Sequence, residues 1–156
     1  MDTLLVFGWL TACAVQDISQ RRIANLLTLG VAALALAYLL LSGSTWWGAR
    51  AAEGGWALLL ALVFTLPGYV LGRMGAGDVK LMAALGLLTD PLHVLGTFIG
   101  AGATSLLWFL LIPRGWVYIG QGLRTHLRYL DPQQSKKYAF APFVLLGMVL
   151  TVLLIH

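Results

Sequence analysis

The chain has 156 residues, 60% of them hydrophobic and 10% charged, and a mean hydropathy of +0.86. That is more apolar side chain than one small soluble core can hide, which excludes an ordinary soluble globule. The formal charge of +4 is better explained by basic residues collecting in the cytoplasmic loops of a membrane protein than by nucleic-acid binding, which is not expected.

Continuous Leu, Ala and Val runs, rather than apolar/polar alternation, select helices over a closed barrel. The expected fold is all-α, a polytopic bundle of six transmembrane helices in one domain over residues 1–156. Spans are expected at about 3–20, 24–42, 55–72, 76–90, 92–112 and 139–155. The first segment carries Asp2 and lacks a basic n-region, so it does not read as a cleaved signal peptide. It also holds the single cysteine, Cys13, which admits no intrachain disulfide and no multi-cysteine zinc site and reads as a packed small residue.

The first and fourth apolar stretches are short against the roughly 20 residues that a crossing takes, unless those helices continue through Asp17 and begin before Asp78. The loop from Ser42 to Gly55, with Gly43, Gly48, Gly54 and Trp46-Trp47, reads as an outer turn anchored by interfacial indoles. Gly68 with Gly72, and Gly96 with Gly100, fit small-residue helix packing. Residues 115–130 place Trp116, Ile119, Leu123, Leu127 and Leu130 at intervals of three or four, with Arg124 and Arg128 one turn apart. This predicts an amphipathic helix on the inner membrane surface, ended by Asp131-Pro132.

Basic residues set the orientation. Arg21 and Arg22 follow the first span, Arg73 and Lys80 flank the third connection, and Arg114, Arg124, Arg128, Lys136 and Lys137 occupy the fifth, whereas the second and fourth hold only Arg50. The odd connections are then cytoplasmic and both termini are outside. Asp17 and Asp78 fall on the same, cytoplasmic, side.

An ionisable group in the hydrocarbon costs about 2.5 to 3.5 kcal/mol on insertion scales and is rarely there without a role. Asp78 stands in Gly75-Ala76-Gly77-Asp78-Val79-Lys80-Leu81, and Asp17 in Asp17-Ile18-Ser19-Gln20-Arg21-Arg22-Ile23-Ala24-Asn25. Taken singly, the first reads as a cytoplasmic turn closed by an Asp helix cap and the second as an interfacial loop. Two acids at one depth suggest acid/base chemistry.

Read together, the two stretches resemble the prepilin peptidase family, the membrane aspartyl proteases that include the archaeal preflagellin peptidases. The family's first motif is an Asp followed about six residues later by Ile-Pro-Asn, matched here by Asp17, Ile23 and Asn25 with Ala24 in place of Pro. Its second, G-x-G-D-x-K-L, is matched at every fixed position by residues 75–81. Pro142, in Tyr138-Ala139-Phe140-Ala141-Pro142, also looks like the start of the family's final helix. The resemblance implies Asp17 and Asp78 as catalytic, with Gly75, Gly77, Lys80 and Asn25 as supporting motif residues. It implies prepilins or pilin-like precursors as substrates, in a multi-pass protein of the inner membrane, with the lipid bilayer as its other partner. No insertion with paired cysteines is present, so the chain is similar to the compact, peptidase-only type of Tad/Flp pili or archaea, without N-methylation.

Two carboxylates brought close cannot both ionise cheaply, so such a pair shares a proton near neutral pH. One member can then activate water while the other hydrogen-bonds the scissile carbonyl, with no cofactor. Asp17 near the C-terminal end of the first helix is expected to hold the shared proton more often, and Asp78 near the N-terminal end of the fourth to act as base. A serine mechanism is poorly supported, with His93 at the outer face, His126 in the inner loop and His156 last. No His-x-x-x-His or Cys/His cluster suggests a metal. Lys80, two residues from Asp78, points away from it on a helix and reads as a snorkelling cation. Asn25 reads equally as a helix-start residue or as a group that holds a loop or substrate carbonyl. The alternative from another class is a proton-coupled carrier or channel subunit that relays protons through Asp17 and Asp78.

Overall fold

The computed structural model describes residues 2–20, 25–72, 75–115 and 140–155. Its elements run α1 (Asp2–Gln20), a π-helical stretch (Leu26–Gly30) that leads into α2 (Val31–Ser42), α3 (Ala51–Val70), α4 (Ala76–Leu88), α5 (Pro91–Gly115) and α6 (Ala141–Ile155). The architecture is all-α. Among the described residues there is no strand, only an isolated bridge between Ser44 and Arg50 that closes the turn from α2 to α3. Arg21, Arg22, Ile23, Ala24 and Arg73, and the amphipathic helix expected over 115–130 apart from Gly115, which ends α5, lie outside the described residues.

Among the described residues two helices, Ala51–Val70 and Pro91–Leu111, are long and apolar enough to cross a membrane, and Thr3–Ile18, Leu26–Ser42 and Ala141–Ile155 are shorter apolar helices. The helices bearing Asp17 and Asp78 are not cut short by their acids: α1 continues to Gln20 and α4 begins at Ala76. α3 starts four residues before the expected position 55, at Ala51. The reason is local, since the Glu53 carboxylate folds back and accepts the Arg50 N–H at 2.9 Å, satisfying a helix-start donor that apolar content does not reveal.

α4 forms the centre of the bundle. Asp78, Leu81, Met82, Ala84, Leu85, Gly86, Leu87 and Leu88 are all buried within its 13 residues, as expected for a helix that is apolar on every side. α3 and α2 pack against α4, α5 packs against α3 and α6, and α1 packs against α6. Without a hydrophobic drive between helices in lipid, contact rests on van der Waals fit, which small residues improve. A Cβ at Gly86 would stand 2.9 Å from the Ala57 backbone, and one at Gly100 only 2.7 Å from the Gly147 Cα, so neither interface has room for a side chain. Gly96 and Gly100 thus pack as their spacing suggests. Gly72 does not: its φ of 74° and open surroundings make it the left-handed residue that ends α3.

Trp46 and Trp47 fasten the α2–α3 turn to the bundle. Trp46 meets Tyr38 at a ring-centroid distance of 5.1 Å, and the Trp47 N–H donates to the Leu88 carbonyl at 2.9 Å. The turn, the end of α4 and the start of α5 therefore share one end of the molecule.

Candidate active site

The other end gathers the acids. Asp78 is the third residue of α4 and only 1% exposed. Its Oδ2 accepts the Gly75 N–H at 3.0 Å, so the helix-capping role open to this residue is physically present: the chain turns at Gly75 and bonds back on itself. Asp17, one turn before the end of α1, is likewise 1% exposed. Its Oδ2 accepts the N–H of Ala141, first residue of α6, at 3.1 Å. Pro142 sits second in that helix, where a missing N–H costs nothing.

Asp17 therefore meets a helix N-terminus of its own. The expected division of roles treated Asp17 as facing only the negative end of α1, whereas α6 brings a donor from the far end of the sequence. Each carboxylate accepts a backbone N–H from a described residue, which helps hold its rotamer.

Two contacts and the helix order put Asp17 and Asp78 at the same end. Asp17 touches the start of α6, which runs antiparallel to α5, with Gly147 on Gly100 and Thr151 on Gly96, and so begins at the end away from the start of α5. Lys80 in the second turn of α4 donates from Nζ to Asn25 Oδ1 at 3.1 Å, and Asn25 heads the next described segment after α1. Lys80 thus pairs with the other motif and not with Asp78. Asn25 makes no side-chain helix-cap bond; its Oδ1 accepts the Lys80 ammonium instead. Cys13 is fully buried in the core with Leu10, Leu81 and Met82, as a small packing residue.

His93 lies at the opposite end, at the start of α5. Asp90 caps that helix by accepting the His93 N–H at 2.9 Å and meets His93 Nδ1 at 2.7 Å, while the Trp47 ring lies tilted against the imidazole at a centroid distance of 5.3 Å. The length of α4 separates it from Asp78. His126 and His156 lie outside the described residues.

Sequence reasoning missed two contacts between segments. The Trp9 indole Nε1–H donates to the Leu27 carbonyl at 2.6 Å, and the Ala141 amide holds Asp17. The first could have been sought as an indole inside a membrane helix, since a buried Trp N–H finds a partner. The second carries no side-chain signal.

A model of the type IV leader peptidase family matches residues 4–110. The matched stretch contains Asp17, Asn25, Gly75, Gly77, Asp78 and Lys80, and it ends before Pro142. Comparison with curated proteins and with solved structures gives no match.

Proposed function

The chain belongs to the type IV leader peptidase family, and from that premise we propose that it is an intramembrane aspartyl endopeptidase with Asp17 and Asp78 as its catalytic dyad. Membership makes it a peptidase for prepilin-type substrates, and with the two long apolar helices it marks a membrane protein. In the proposed reaction, one carboxylate of a pair that shares a proton takes a proton from water. The other hydrogen-bonds the scissile carbonyl and later protonates the leaving amine, so no covalent acyl-enzyme forms. The cut removes a short basic leader at the cytoplasmic face of the inner membrane, leaving the apolar helix of the precursor in the bilayer.

The observation that carries this reading is that both acids fall inside the family match and are 1% exposed at one end of the bundle, each with a backbone donor. The dimensions of α4 agree with a recessed site: 13 residues make about 20 Å of helix, roughly 10 Å less than the hydrocarbon thickness. Six spans with both termini outside put the acid end in contact with the cytoplasm. Because enzyme loops and leader are both basic, long-range attraction is a poor source of recognition, and helix-to-helix packing in the bilayer is the better one. A proton carrier would need acids with paths to both faces, whereas both acids here lie at one end.

Co-expression with a pilin precursor is the direct test. A shortened product that depends on Asp17 and Asp78 is expected, and an uncut precursor beside well-inserted enzyme would sink the assignment.

A further inference from the structure

The two acids ride on helices that are not each other's main neighbours. α1, with Asp17, packs on α6, and α4, with Asp78, packs on α3 and α2. Between α1 and α2 an apolar cleft of about 180 Å³ opens beside Val6, Trp9, Leu34 and Trp46. The core shared by α1 and α4, Leu10 and Cys13 with Leu81 and Met82, is apolar, and such contacts set a distance without fixing a register. Acid–base chemistry is more demanding, because an error of about 1 Å costs orders of magnitude in rate.

Directional contacts meet at the head of α2. On one side, the Trp9 indole of α1 donates to the Leu27 carbonyl at 2.6 Å. On the other, Lys80 of α4 donates to Asn25 Oδ1 at 3.1 Å. Leu27 lies inside the π-helical stretch and Asn25 immediately precedes it, so one wide turn is bonded to the helix of Asp17 and to the helix of Asp78. π-helical turns are uncommon and concentrate at functional sites. Lys80 is two residues from Asp78 and so points to nearly the opposite face of α4, which keeps its ammonium away from that carboxylate.

We propose that Asn25 and Lys80 form a positioning latch which, with the Trp9 to Leu27 contact, holds the α1 and α4 carboxylates in working register. The latch rests on the peptidase reading above. Lys80 is then a positioning residue that acts through the placement of α4.

The test is a double-mutant cycle on detergent-purified enzyme, with kcat and KM measured on a pilin precursor. Asn25→Leu and Lys80→Met should each lower kcat about tenfold, the factor one charge-assisted hydrogen bond carries, with KM within about twofold. The double variant should fall no further than the worse single one. Asn25→Asp, which still accepts the ammonium, should keep most of the rate. Additive losses, silent single variants, a raised KM at unchanged kcat, or a lowered melting temperature as the sole effect would each overturn the latch. Asp17→Asn and Asp78→Asn run in the same assay separate the two ideas. If those variants are dead while the latch variants behave additively, only the latch falls; if they cut normally, the peptidase reading falls and takes the latch with it.

Discussion

The backbone N–H of Ala141 donates to Oδ2 of Asp17 across 3.1 Å, joining residues 124 positions apart. The last helix therefore completes the surroundings of an acid in the first, and the site cannot be assembled from residues 4–110 of the family match alone.

Replacing Ala141 by its α-hydroxy acid, which turns that amide into an ester without adding bulk, should reduce cleavage about tenfold while leaving the folded yield unchanged. Ala141→Pro removes the same donor at a helix position that tolerates proline, but its ring would occupy the place of the Asp17 oxygen, so it should lose more. Ester enzyme with the full wild-type rate would show that the contact has no part in cleavage.

Asp17→Asn and Asp78→Asn should each leave less than about 1% of wild-type turnover, because members of a dyad act as a unit. The two losses should be comparable, since each carboxylate is held by a backbone N–H at a helix start. Turnover measured in variants of equal expression checks this, and substantial processing by both would remove the dyad.

A reporter fused within residues 115–137 should read as cytoplasmic and one after His156 as external. The basis is the concentration of basic residues in the odd connections. Two fusions reporting the same side would refute six spans.

Gly86→Val should destabilise the bundle by about 1 to 3 kcal/mol, because its side chain must displace the Ala57 backbone. Gly102→Ala, where nothing lies within 4 Å of the new Cβ, is the matched control and should be near neutral. Melting temperatures in detergent report both.

Glu53 and Gly72 mark how far local chemistry can be read. The apolar runs already specify an all-helical membrane chain, because lipid satisfies no backbone group and only internal bonding remains. The motif around Asp78 and its partner around Asp17 could be picked out because acids are costly in such a chain. Spacing alone could not separate Gly72, a turn residue, from Gly100, a packing residue, since both satisfy the same interval of small residues. Nor could it date the start of α3 without knowing that Glu53 folds back on Arg50.

What the sequence determined by itself was the class of the fold, which follows from composition, and two costly acids at one expected depth; the motif residues beside them came from the family resemblance. Only the tertiary structure decided who holds them. The Ala141 amide on Asp17, the Lys80 ammonium on Asn25 and the Trp9 indole on Leu27 join segments 124, 55 and 18 residues apart. The Trp9 indole announces that it needs an acceptor but not which one, and the Ala141 amide carries no side-chain signal at all, so helix packing chose which donor met which acceptor.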